Sequence, residues 1–78
     1  MTMLDILKER LVDGLEISKV KEKPSKYEIV FSIGDLTEKS ELPKSCAPGR
    51  HNHVVDTTIF NAMAAFPSIP PVYIAMMV

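Results

Sequence analysis

The feature that most constrains this chain is the run Tyr27-Glu-Ile-Val-Phe-Ser-Ile33. Tyr27, Ile29, Phe31 and Ile33 alternate with Glu28, Val30 and Ser32, and a period of two places the four large apolar side chains on one face of a strand. Such a strand needs neighbours on both sides for its backbone and a layer of other elements over its apolar face. The rest of the chain is read for what supplies them.

Upstream, Leu15 and Ile17 alternate with Glu16 and Ser18 before the charged run Lys19-Val-Lys-Glu-Lys23, which predicts a first strand ending in that run. Pro24-Ser25 supplies the turn between the two. Downstream, Gly34-Asp35 breaks the alternation, and Leu36 to Leu42 resumes it with Leu36, Glu38, Ser40 and Leu42 on one side. This third strand is expected at an exposed edge, where Lys39 and the flanking acids discourage pairing with other chains.

Two helices are expected to cover the sheet. Thr2 followed by Asp5 resembles a capping box with Asp in place of Glu, and Leu4, Leu7 and Leu11 continue a helical stripe from it. Gly14 is positioned as the left-handed cap that ends this helix. Past the turn at Pro48-Gly49, Val55, Ile59, Met63 and Phe66 form one apolar stripe, with Asn52 or Asp56 available as the N-cap and Pro67 as the stop. Val72 to Val78 is expected to be a strand buried on both faces or a segment buried in a partner. The predicted fold class is therefore α+β: a single small domain over 1–78 with an N-terminal helix, a three-stranded antiparallel sheet, a second helix and an apolar C-terminal strand or tail.

At 78 residues the folded chain buries only about 60% of the surface its unfolded form exposes. Small domains usually compensate with disulfides, a metal or a partner subunit, and a single cysteine excludes an internal disulfide. The lone thiol, the lack of an Asn-x-Ser/Thr acceptor and the absence of a signal-peptide pattern fit a cytoplasmic setting. Nine basic and ten acidic residues leave a net charge of -1, which gives no footprint for nucleic acid or an anionic membrane. All of these charges lie at or before Asp56. Thr57 to Val78 carries none, yet Pro67, Pro70 and Pro71 interrupt it, so no membrane span is expected.

The order helix, three strands, helix resembles that of a double-stranded RNA-binding domain in element order alone. That family sets a cluster of lysines at the start of its last helix. Here Arg50 is the only fixed positive charge between positions 45 and 78, so no nucleic-acid partner is expected.

Side chains able to do chemistry near neutral pH concentrate between Cys46 and Asp56, which holds the only Cys and both His. Gly49, Arg50, His51, Asn52 and His53 form a candidate ligand-binding loop. Backbone amides at a helix N-terminus favour a phosphate or carboxylate, and Arg50 adds a forked donor, so a small phosphorylated ligand or nucleotide is one expectation. No Gly-Lys-Ser/Thr follows and no dinucleotide fingerprint is present. A zinc set of Cys46, His51, His53 and Asp56 offers donors that tetrahedral zinc accepts, but its spacing matches no common structural site. If the helix begins by Asn52, the two imidazoles diverge by about 200° around its axis. Nucleophilic catalysis through Cys46 would require a positioned base and an oxyanion site in a chain too small to enclose a substrate easily, so no catalytic residue and no cofactor are assigned. The leading expectation is a self-associating protein-protein interaction module that binds a protein partner, itself or both through Thr57 to Val78. Its size suits an accessory regulator or inhibitor of bacterial or phage origin.

Overall fold

The computed structural model describes residues 1–66. Its elements are helix α1 (Met3–Glu9), strands β1 (Glu16–Glu22), β2 (Lys26–Ile33) and β3 (Leu36–Pro43), and helix α2 (His51–Ala65). The strands form one antiparallel sheet in the order β1-β2-β3, which is the α+β arrangement expected from the sequence. The expected element at Val72 to Val78 lies outside the described residues.

Helix α1 starts as its first residues require. Thr2 Oγ1 accepts the Asp5 amide at 3.1 Å, and Asp5 Oδ2 accepts the Thr2 amide at 3.0 Å, so two amides that lack helical partners are satisfied reciprocally. This holds the Asp5 carboxyl below its ordinary range, chiefly because the Thr2 backbone amide hydrogen-bonds to it. The helix ends earlier than Gly14: the Arg10 amide donates to the Ile6 and Leu7 carbonyls and closes it. Gly14 does adopt positive φ (89°), but in a separate turn in which the Leu15 amide donates to the Val12 carbonyl. Positive φ at the third residue of such a turn is the type II requirement, and here it delivers Leu15 into the core rather than capping the helix.

The sheet register explains a feature that alternation alone misplaces. Ile17 pairs with Phe31, but Lys19, not Ser18, pairs with Val30, so Ser18 is an extra residue bulged out of β1. Its hydroxyl donates to the Val30 carbonyl at 3.2 Å. The bulge shifts the phase by one position: Ile17 and Val20 both pack towards the core, while Lys19 and Lys21 both face away from it.

The helices cover one face of the sheet. Tyr27, Ile29 and Phe31 of β2, Leu42 of β3, Met3 and Leu7 of α1 and Val55, Ile59 and Met63 of α2 form a continuous buried cluster, completed by Leu15, Ala62 and Phe66. Of the four β3 residues expected on one side, only Leu42 is buried; Leu36, at the opposite end of the strand, is exposed. Among the described residues, no buried side-chain nitrogen or oxygen lacks a partner. Thr58, the one buried polar residue among the described residues, donates its hydroxyl to the Val54 carbonyl one helical turn back. No helix among the described residues is long and apolar enough to cross a membrane.

Candidate functional site

The segment from Cys46 to Asp56 joins the end of β3 to the first turns of α2. Within it the Arg50 amide donates to the Ala47 carbonyl at 3.1 Å across Pro48-Gly49, and Gly49 has φ 82°. Pro second and a positive-φ Gly third is the pattern of a type II turn. The turn runs directly into α2, whose N-cap is Arg50 with φ -106° and ψ 1°. The expected cap by Asn52 or Asp56 is not formed, because both lie inside the helix. Arg50 itself has no acceptor oxygen to offer, and its ψ near zero departs from the extended backbone a capping side chain needs.

The amides of His51, Asn52 and His53 consequently lack a side-chain cap, and the first backbone bond closing the helix is from the Val54 amide to the Arg50 carbonyl at 2.9 Å. No acidic residue occupies the first turn. Arg50 is exposed and makes no ion pair among the described residues. This end of a fifteen-residue helix therefore presents unpartnered N–H groups, the positive end of the helix dipole and one guanidinium.

The other members of the segment are directed elsewhere. Cys46 is half-buried and packs against the core. His51 and His53 sit in the first helical turn two positions apart, which sends them to different sides of the axis. Asp56 is held by Arg10 of α1: Nε donates to Oδ1 at 2.7 Å and Nη2 to Oδ2 at 2.6 Å, a two-pronged clasp between residues 46 positions apart. The hydrogen bond from Arg10 holds the Asp56 carboxyl below the ordinary carboxylate range, against the opposing effect of partial burial, and the same bond raises Arg10. Among the described residues, no group of three or more His, Cys, Asp and Glu side chains is placed to hold a metal. Cys46, His51, His53 and Asp56 thus form no common ligand set, although His53 lies close enough to Asp56 to contribute, after Arg10, to holding its carboxyl low.

No family model matches the chain, and no curated protein or solved structure is significantly similar to it.

The surface with the least ordinary composition is the side of α2 turned away from the core. Thr57, Phe60, Asn61, Ala64 and Ala65 are all exposed there, with no charge among them, and Phe60 is 38% accessible. A surface helix normally sets charged side chains opposite its apolar stripe. In α2 the outward side from Thr57 onward is small, neutral or aromatic, while the inward side is filled by Val55, Thr58, Ile59, Ala62 and Met63. The apolar stripe was legible in the sequence; the exposure of Phe60 follows from how the helix is rotated on the sheet.

Proposed function

We propose that this chain is a small protein-protein interaction module that self-associates through Thr57 to Val78 and acts by binding rather than by catalysis. The observation that carries this reading is the uncharged outward side of α2, centred on the exposed Phe60 and continuous in sequence with the uncharged stretch 67–78. Water gains little from such a surface and a second protein surface gains much, since removal of apolar area from water is the main favourable term in association. A role as an accessory regulator fits a small domain whose described residues present an uncharged helical surface.

The test is solution mass as a function of concentration on the full chain, with and without Val72 to Val78. Self-association predicts a mass that rises with concentration and changes when the segment is deleted. A concentration-independent monomer whose segment tumbles freely by NMR removes the reading.

A second reading is favoured by one specific observation, the uncapped N-terminus of α2 beside Arg50. In it, Gly49, Arg50, His51, Asn52 and His53 hold the phosphate of a small ligand, with the helix amides as donors and Arg50 as the clamp.

A further inference from the structure

On the sheet, the face opposite the helical layer carries its own pattern. Register places Lys19, Val30 and Lys39 side by side on β1, β2 and β3, with Lys21, Glu28 and Glu41 as the adjacent row. Together with Ile29 and Ser40 these residues line a concavity of about 360 Å³. Both acids of this hollow are already engaged: Lys26 donates to Glu41, and the Lys23 ammonium lies 4.0 Å from Glu28. Lys19, Lys21 and Lys39 make no ion pair among the described residues. The bulge at Ser18 sets this arrangement: Lys19 and Lys21 share a side of β1 in any register, and the extra residue turns both to the face of Val30 and Lys39, away from Ile17.

We propose that this hollow docks an extended acidic segment of a partner protein, with carboxylates at alternate positions. The spacing argues for it. Strands lie about 4.8 Å apart and rise about 3.3 Å per residue, so Lys21 stands about 6.7 Å along β1 from Lys19, and Lys39 stands about 10 Å away across Val30. An extended peptide repeats its side chains on one side with that same spacing of about 6.7 Å. Two of its carboxylates therefore meet Lys19 and Lys21, while Lys39 closes the other flank and Val30 offers a small apolar contact between them. A nucleic-acid strand fits this face less well. Tyr27 and Phe31 are buried on the opposite face, leaving this face no aromatic platform for bases among the described residues. The outward side of α2 lies across the molecule from this face, so acidic-segment docking stands or falls independently of self-association.

The test is fluorescence anisotropy of a labelled peptide of alternating glutamate and serine around a central valine, titrated with the full chain. A glutamine-for-glutamate version and a single-stranded oligothymidylate of equal charge serve as comparisons. The glutamate peptide binds, the glutamine peptide does not, and affinity falls with added salt. Replacing two lysines by Lys19→Gln and Lys39→Gln weakens binding by about tenfold, since each exposed pair is worth up to about fivefold. Lys8→Gln, on the exposed side of α1, leaves it unchanged. Backbone amide shifts in the unsubstituted chain give a readout free of any folding defect: the peptide moves β1, β2 and β3 signals around Val30. Shifts confined to residues 49–53, equal binding of both peptides or no binding at all overturns the proposal. Tighter binding of the oligonucleotide through the same lysines overturns it in favour of a nucleic-acid partner.

Discussion

Substituting Phe60 is the sharpest probe of self-association, because this side chain is large, exposed and not one of the buried core residues. With 38% of the residue accessible and about 200 Å² for a whole Phe, roughly 80 Å² of Phe60 is open to water. Covering that area contributes about 2 kcal/mol per copy at about 25 cal/mol per Å². In a two-fold symmetric contact both copies are covered, so complete burial amounts to about 4 kcal/mol and half-complete burial to about 2 kcal/mol. Phe60→Ala should therefore weaken association by about 30- to 1000-fold, at a factor of ten for each 1.4 kcal/mol. Phe60→Lys should weaken it further, since each copy would then bring an unpaired charge into the contact. Phe60 lies outside the buried core but is partly covered by the chain itself, so either change should lower the thermal midpoint of the separated chain modestly and leave the fold intact. Sedimentation velocity over a wide concentration range reads the association, and far-ultraviolet circular dichroism reads the fold. An association constant unaltered by Phe60→Ala would refute the assignment of this surface, and a wild-type mass independent of concentration would refute self-association itself.

Other consequences can be checked on the same material. Gly34 opens the two-residue loop between β2 and β3 with φ 58°, while Asp35 has no positive φ, the pattern of a type II′ turn; a Cβ there meets nothing within 4 Å. Gly34→Ala should thus cost only backbone strain, roughly 1–2 kcal/mol, and lower the urea midpoint by about 1 M, whereas D-alanine introduced by chemical synthesis should not; an unchanged midpoint for L-alanine contradicts the turn assignment. Because Asp56 is depressed in the folded chain, its clasp with Arg10 stabilises at neutral pH and loses that effect as pH falls through the folded value. The gap in urea midpoint between wild type and Asp56→Asn should accordingly close in acid, and a gap that persists at the lowest pH argues that the clasp is not its source. For the α2 N-terminus, calorimetric titration with phosphate-bearing compounds should show binding that Arg50→Lys weakens despite the retained charge and that added salt suppresses; no heat with any of them leaves a solvated turn.

How much of the candidate surfaces was legible beforehand follows from the range of the interactions involved. The Pro48-Gly49 pair marks Gly49 to His53 as a helix entrance because Pro-Gly turn chemistry is local, and α2 starts at His51. Whether Cys46, His51, His53 and Asp56 would meet was not readable, since it depends on a helix start two residues either way and on Arg10, which belongs to another helix. Lys19, Lys21 and Lys39 stand in the sequence only as members of charged runs; no signal there marks Ser18 as the bulged residue that turns the β1 pair to the face of Lys39.

By itself the sequence determined the elements and their order. The alternation from Tyr27 to Ile33, the Thr2–Asp5 capping box, the Pro48-Gly49 turn and the Val55–Ile59–Met63 stripe each express a preference of backbone and side chain within a few residues, so each could be read without knowing its neighbours. Tertiary structure decided where those elements stop and which way they face. Arg10 closes α1 before Gly14 is reached, Ser18 shifts the register of β1, and packing against β3 and α1 turns Phe60 outward and Val55 inward. These outcomes are set by burial and pairing between residues far apart in the chain. A one-residue slip in register or a small rotation of a helix exchanges buried for exposed side chains while leaving every local preference satisfied.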